Sequence, residues 1–176
     1  MIFVTVGAQM PFDRLIHAAD EWASSRGRSD VFAQIGESDY RAKSIETTRH
    51  MDPLDFRKCV QAAAVIVAHA GMGTIITALE FAKPIIVMPR RGDLRETRND
   101  HQVATATYFN RQGRITVAFD KQELIDKLDQ FEVTGVGMKP IDVHASPQLI
   151  AALRGFLDAD SNGLPQGLPS RRLLAP

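Results

Sequence analysis

The stretch AVIVAH, Ala64 to His69, is apolar at five successive positions, closes on a histidine, and runs straight into Ala70-Gly71-Met72-Gly73-Thr74. A strand with no polar face has to be covered on both sides, so this segment predicts a parallel sheet held between two layers of helices. The glycines after it predict a turn at which backbone amides can approach a ligand. They lead into a helix whose N-terminal dipole favours an anion such as phosphate. Two readings of His69 stay open on these grounds: a group facing a ligand, or a ring satisfied by a backbone carbonyl at the end of a strand. The dinucleotide spacing G-x-G-x-x-G is not completed, because position 76 is isoleucine.

The remainder of the chain alternates in the same manner. Strands are expected at 2–6, 31–36, 43–48, 83–89 and 114–119, and helices at 12–25, 51–63, 73–82, 101–111 and from Asp120 to about Leu128. Phe12, Leu15, Ile16, Ala19, Trp22 and Ala23 recur at helical spacing, and Ile75, Ile76, Leu79 and Ala82 form a second such stripe. Asp52 followed by Pro53 is the start signal of the helix at 51–63. Residues 132–145 read as irregular and 146–159 as a last helix, while the Gly/Pro/Ser-rich stretch 160–176 reads as a disordered tail. The whole is one α/β domain, a Rossmann-like parallel sheet over residues 1–159.

Several function classes are excluded at this stage. Lys and Arg number 21 against 21 Asp and Glu, so no net field recruits nucleic acid or an anionic membrane. The lone cysteine, Cys59, rules out an internal disulfide and fits a reducing, cytoplasmic compartment. The five histidines (17, 50, 69, 101 and 144) contain no i, i+4 pair and no cysteine partner, so no metal is expected. A Ser/His/Asp hydrolase is disfavoured by the lack of a G-x-S-x-G elbow. The N-terminus MIFVTVG has no basic region, and no window reaches the roughly 18 apolar residues of a membrane span.

Ligands of an open parallel sheet sit beyond the carboxyl ends of its strands, which directs attention to three loops. GAQMPFD (7–13) could be a plain turn or a ligand loop. HAGMGT (69–74) is the candidate anion site. In RRGDLRETRNDHQ (90–102), the charges Arg90, Arg91, Arg95 and Arg98 against Asp93, Glu96 and Asp100 usually mean a solvated loop. Asn99, Asp100, His101 and Gln102 gather at a helix start, where short amides and carboxylates suit either capping or hydrogen bonds to a hydroxyl-rich ligand.

Taken together, FVTVG with PFDRL, HAGMGT, KPIIVMPRR and RNDHQ resemble, over roughly residues 1–130, the C-terminal, nucleotide-sugar-binding half of the family 28 glycosyltransferases. The likeness is nearest to the small soluble subunits of two-part enzymes, those of dolichol-linked glycan synthesis and bacterial exopolysaccharide subunits of the PssE type. The resemblance implies one half of a GT-B architecture and a UDP-sugar donor. It further implies inversion at the anomeric carbon, no metal or other cofactor, and transfer of a hexose or hexuronic acid to a lipid-linked glycan acceptor. A membrane-anchored partner subunit would bind that acceptor and supply the general base, holding this chain against the inner membrane; the isolated chain could self-associate through the same face. A non-catalytic nucleotide-binding or docking subunit is the alternative.

Carried over by position, the resemblance puts Gly7 and Ala8 near the phosphates and the backbone of Met51 near the uracil. Gly71, Met72, Gly73 and Thr74 would serve the diphosphate. His69 would sit near phosphate or sugar, the one residue here with a catalytic claim, and Asp100, His101 and Gln102 would face the sugar hydroxyls. Many relatives hold the ribose with a glutamate where this chain has Thr77, which leaves that contact to Thr77 or to Glu80.

Overall fold

The computed structural model describes residues 1–135 and 146–161, with side chains up to 157. The expected irregular segment from 136 to 145 and the expected tail beyond 161 lie outside the described residues. The chain forms two compact units, Met1–Ile141 and Asp142–Pro176.

The first unit is built on strands β1 (Ile2–Thr5), β2 (Val31–Gln34), β3 (Glu46–Thr48), β4 (Val65–His69), β5 (Ile85–Met88) and β6 (Thr116–Val117). All pairs are parallel and the order across the sheet is β3-β2-β1-β4-β5-β6. The helices are α1 (Asp13–Ser25), α2 (Pro53–Ala62), α3 (Met72–Glu80), α4 (His101–Arg111) and α5 (Lys121–Thr134). Strand order therefore reverses between β1 and β4, and at that reversal the following loops leave in opposite directions and open a crevice.

The continuous apolar strands are explained by how they divide their side chains. Ile2, Val4, Val65, Val67, Ile86 and Met88 enter one core with α1 and α5, together with Trp22, Leu15, Ile16 and Leu124. Phe3, Ile66, Ala68, Ile85 and Val87 enter the other with Val60, Ile75 and Leu79. Successive residues of one strand thus serve opposite layers, and neither face can tolerate a charge. Asp52 caps α2 as expected, its carboxylate accepting from the Leu54 and Asp55 amides at 2.8 and 2.9 Å.

Four expectations need correction. α5 does not stop near Leu128 but runs two turns further, because Phe131 still packs against the core and a left-handed Gly135 at φ 53° ends the helix. Residues 132–134 are accordingly helical. β3 begins only at Glu46: the backbone amides of Lys43 and Ser44 are taken by the buried Asp20 carboxylate at 2.8–3.2 Å instead of a neighbouring strand. On α3, Ala78 rather than Ile76 joins Ile75 and Leu79 inside, and Ile76 is exposed.

The second unit contributes helix α6 (Pro147–Ser161), opened by the Ser146 hydroxyl, which accepts from the Leu149 amide.

Candidate functional site

The β1/β4 reversal holds a cavity of about 460 Å³. Its walls come from the β1–α1 loop (Ala8, Gln9, Met10), the end of β4 and the start of α3 (His69 to Thr74), and from Arg90, Thr97 and the first turn of α4 (His101, Gln102, Thr105). Two helix N-termini thus face one cavity. The first amides of a helix have no intrahelical acceptor, so both ends present N–H groups and positive potential to whatever occupies it. Gly71 has no side chain to close the amides of α3, whereas at α4 the Asn99 Oδ1 accepts from the His101 amide at 3.2 Å.

A second pocket of about 290 Å³ adjoins the first and shares Ala8 and Thr74 with it; Gln34, His50, Met51 and Phe56 are among its other walls. On the opposite side a third, of about 500 Å³, shares Gln9, Met10, Thr97 and His101 and adds Arg98 and Asn99. The three form a continuous row along the sheet edge.

His69 has an unusual setting. A Cβ added to Gly71 would lie 2.2 Å from its Nε2, and one added to Gly7 would lie 2.6 Å from its Cε1. The imidazole is therefore held between two glycines, and Gly7 also needs its freedom for a φ of 75°. Gly7 is fixed in turn by a buried network. The Thr5 hydroxyl donates to Gln34 Oε1 at 2.7 Å, and Gln34 Nε2 donates to the Gly7 and Arg49 carbonyls at 3.2 and 3.0 Å. Gly73 differs, since a Cβ there would meet nothing within 4 Å. Of the three glycines, two are required by the protein's own packing and one leaves open space inside the cavity.

Burial, and next the nearby Arg90 guanidinium, push the His69 imidazole down to about 4, against the weak opposing pull of the Thr5 carbonyl. Its Nδ1 is buried with no hydrogen-bond partner of good geometry. The ring is neutral at pH 7 and a feeble base. With a folded value below the ordinary 6.5 of the unfolded chain, the neutral ring's contribution is whole above pH 6.5 and is lost as pH falls from there toward 4, where only the unfolded chain takes up the proton. Urea unfolding of the protein at pH 7.5 and pH 4.5 is expected to show about 2 to 3 kcal/mol more loss on acidification than unfolding of a His69→Asn variant. Equal losses would mean that the ring titrates normally.

The other residues singled out from sequence fall into two groups. Ala8, His69, Gly71, Met72, Gly73, Thr74, His101 and Gln102 border the main cavity, and Gly7 and Met51 border the adjoining pocket. Thr77, Glu80 and Asp100 border neither. The Thr77 hydroxyl donates to the Gly73 carbonyl at 2.8 Å, Glu80 is held by Arg57 through bonds of 2.9 and 3.1 Å, and Asp100 accepts from the Gly92 amide at 2.8 Å. Gln102 also acts as a staple. Its Oε1 accepts from the Ala70 and Arg90 amides at 3.2 and 3.1 Å, joining the ends of β4 and β5.

The expectation of a solvated loop fails at Arg90, which is only 3 % exposed. It directly follows the proline closing a buried strand, a position at the sheet edge that marks it out from the other arginines of the run. Gln9, Met10, Thr97 and Thr105 also line the cavity without having been singled out.

Residues 1–134 match the model of the glycosyltransferase family 28 C-terminal domain. A curated human relative, "UDP-N-acetylglucosamine transferase subunit ALG13", is 26% identical over 126 residues, covering 65% of this chain and 10% of that protein, so the chain spans about a tenth of the relative's length. A solution structure of ALG13 superposes with a TM-score of 0.56 at 17% identity, over 86% of this chain and 94% of that one. A putative UDP-N-acetylglucosamine 2-epimerase from Listeria monocytogenes gives 0.59 at 16% identity, over 90% and 45%. These structural likenesses establish the fold, which is that of GT-B glycosyltransferase halves.

Proposed function

Because the chain belongs to the glycosyltransferase family 28 C-terminal domain family, we propose that it is the donor-binding subunit of a two-component, inverting glycosyltransferase. The observation that carries this reading is the convergence of two helix N-termini, that of α3 without any side-chain cap, and one buried arginine on a single cavity at the sheet reversal. A diphosphate fits that chemistry. The amides of Met72, Gly73 and Thr74 would meet its oxygens, the Met51 pocket would take the uracil, and the pocket beyond His101 would take the sugar. Charge that develops on the departing UDP is met by fixed amide dipoles and Arg90, so the reaction is proposed to run without a metal.

Displacement at the anomeric carbon also needs a base for the acceptor hydroxyl. His69 is too weakly basic for that role, and among the described residues no carboxylate lines the main cavity. A partner subunit is therefore assigned the base and the lipid-linked acceptor. That the human relative is by name a transferase subunit supports this division. Among the described residues no helix is long and apolar enough to cross a membrane, and a membrane-anchored partner would place the chain at the cytoplasmic face of the inner membrane. The sugar proposed is a hexose or hexuronic acid, and the pathway exopolysaccharide assembly.

Reconstitution tests this reading. The chain, its membrane-anchored partner and a lipid-linked acceptor are mixed with a panel of UDP-sugars, with and without a chelator. Transfer from one donor that persists with chelator is the expected result. UDP binding with no transfer from any donor would favour the non-catalytic alternative.

A further inference from the structure

Arg90 is the one buried cation among the described residues. One terminal nitrogen donates to the carbonyls of Pro11 at 2.6 Å and Glu96 at 3.3 Å, and the other to those of Val6 at 2.9 Å and Met10 at 2.5 Å. The guanidinium carbon lies 4.7 Å from the centre of the Phe12 ring. Among the described residues no carboxylate forms an ion pair with it, although Glu96 is near enough to offset part of the burial that pushes its proton affinity down. By comparison, Arg14 in the first turn of α1 has a bidentate carboxylate partner in Glu96, at 2.7 and 2.8 Å.

A buried cation satisfied only by neutral carbonyls is costly to maintain, because dipoles replace water's hydrogen bonds but do not cancel the charge. The geometry accounts for its retention in two ways. Val6, Met10 and Pro11 span the loop that forms one wall of the cavity, and Glu96 belongs to the loop that forms another; both are tied to a single planar group at the end of β5. That planar fork also leaves a fixed positive charge on the cavity lining itself.

We infer that Arg90 is the positioning residue of the donor site: its guanidinium holds the 7–12 loop against the 90–100 loop, and its charge, which no ion pair neutralises, is met by the diphosphate of the bound nucleotide. The inference rests on the donor-binding reading above and deepens it. Lysine cannot replace the fork, since a compact ammonium with three donors cannot serve four carbonyls spread over two terminal nitrogens, but it keeps the charge.

The test uses the full chain as wild type, Arg90→Lys and Arg90→Met. Binding of UDP is measured by calorimetry and binding of uridine by NMR titration, and amide hydrogen exchange is followed at residues 7–12 without ligand. Arg90→Lys is expected to weaken UDP about 10-fold and Arg90→Met about 100-fold, with uridine within about 2-fold in both, because the nucleoside does not meet the charge. Exchange at 7–12 is expected to accelerate in both variants. Unchanged UDP affinity and unchanged exchange in Arg90→Lys would overturn the inference. So would a parallel loss of UDP and uridine, which is what general unfolding of the site produces. Should Arg90→Met fail to fold, Arg90→Lys carries the test alone. A wild-type chain that binds no UDP would overturn the donor-site reading and the diphosphate half of this inference; the exchange measurement still decides the loop-holding half.

Discussion

Gly73→Asp is expected to abolish UDP binding while leaving the fold as stable as before. The position opens into free space, so the new side chain displaces no protein atom. It lies in the first turn of α3, where an acidic residue favours the helix dipole by about 0.3–1 kcal/mol and replaces a conformationally costly glycine. The same carboxylate would stand where the diphosphate is to sit. Like charges about 4 Å apart at an effective dielectric near 20 repel by about 4 kcal/mol, so affinity should fall at least ~100-fold. Calorimetric titration with UDP together with thermal unfolding checks both halves. Gly73→Ala separates charge from bulk, with stability retained or raised and only a modest loss of affinity. Retained UDP affinity in Gly73→Asp would displace the diphosphate from this helix end.

The largest effect on stability is expected at Gly71. An alanine there drives its Cβ to 2.2 Å from His69 Nε2, on an edge of the ring that already lies against Gly7. Overpacking of this kind costs about 1–3 kcal/mol. The cost has a specific cause, so it should be conditional on that ring. In the double variant His69→Ala/Gly71→Ala the second substitution should cost little, giving a coupling energy above about 1.5 kcal/mol in a urea-unfolding cycle. Additive costs would show that Gly71 is needed for some reason other than the imidazole.

These two glycines illustrate how far the sequence reaches. The strands and helices were legible because an all-apolar run has one interpretation once neighbouring segments show helical spacing, and the sheet order followed the Rossmann pattern. The cavity's place at the strand ends was legible for the same reason. What HAGMGT did not disclose is that its glycines serve different ends. From sequence Gly71 and Gly73 both read as openings for a ligand, yet Gly71 and the distant Gly7 make room for a histidine, and only Gly73 leaves the backbone clear. That distinction depends on contacts between residues 7 and 69, across two strands, which no local pattern encodes.

Arg90 was misread for a related cause. A run of alternating charges suits a solvated loop, and nothing near Arg90 in sequence announces that its acceptors are the carbonyls of Val6, Met10 and Pro11. For Gln102 the helix-start position left capping and ligand contact open, and it did not disclose that the carbonyl oxygen ties two strands together. The end of α5 was missed because Phe131 lies three residues beyond the last fully buried leucine of that helix and packs only at the core's margin.

The account turns on whether the cavity at the β1/β4 reversal holds the diphosphate of a nucleotide. Amide chemical-shift titration of the chain with UDP reads this directly. Shifts that saturate and are largest at Ala8, Met72, Gly73 and Thr74, with smaller ones at Met51, are the predicted result. Saturating shifts confined to residues remote from this cavity, or none at millimolar UDP, would contradict it.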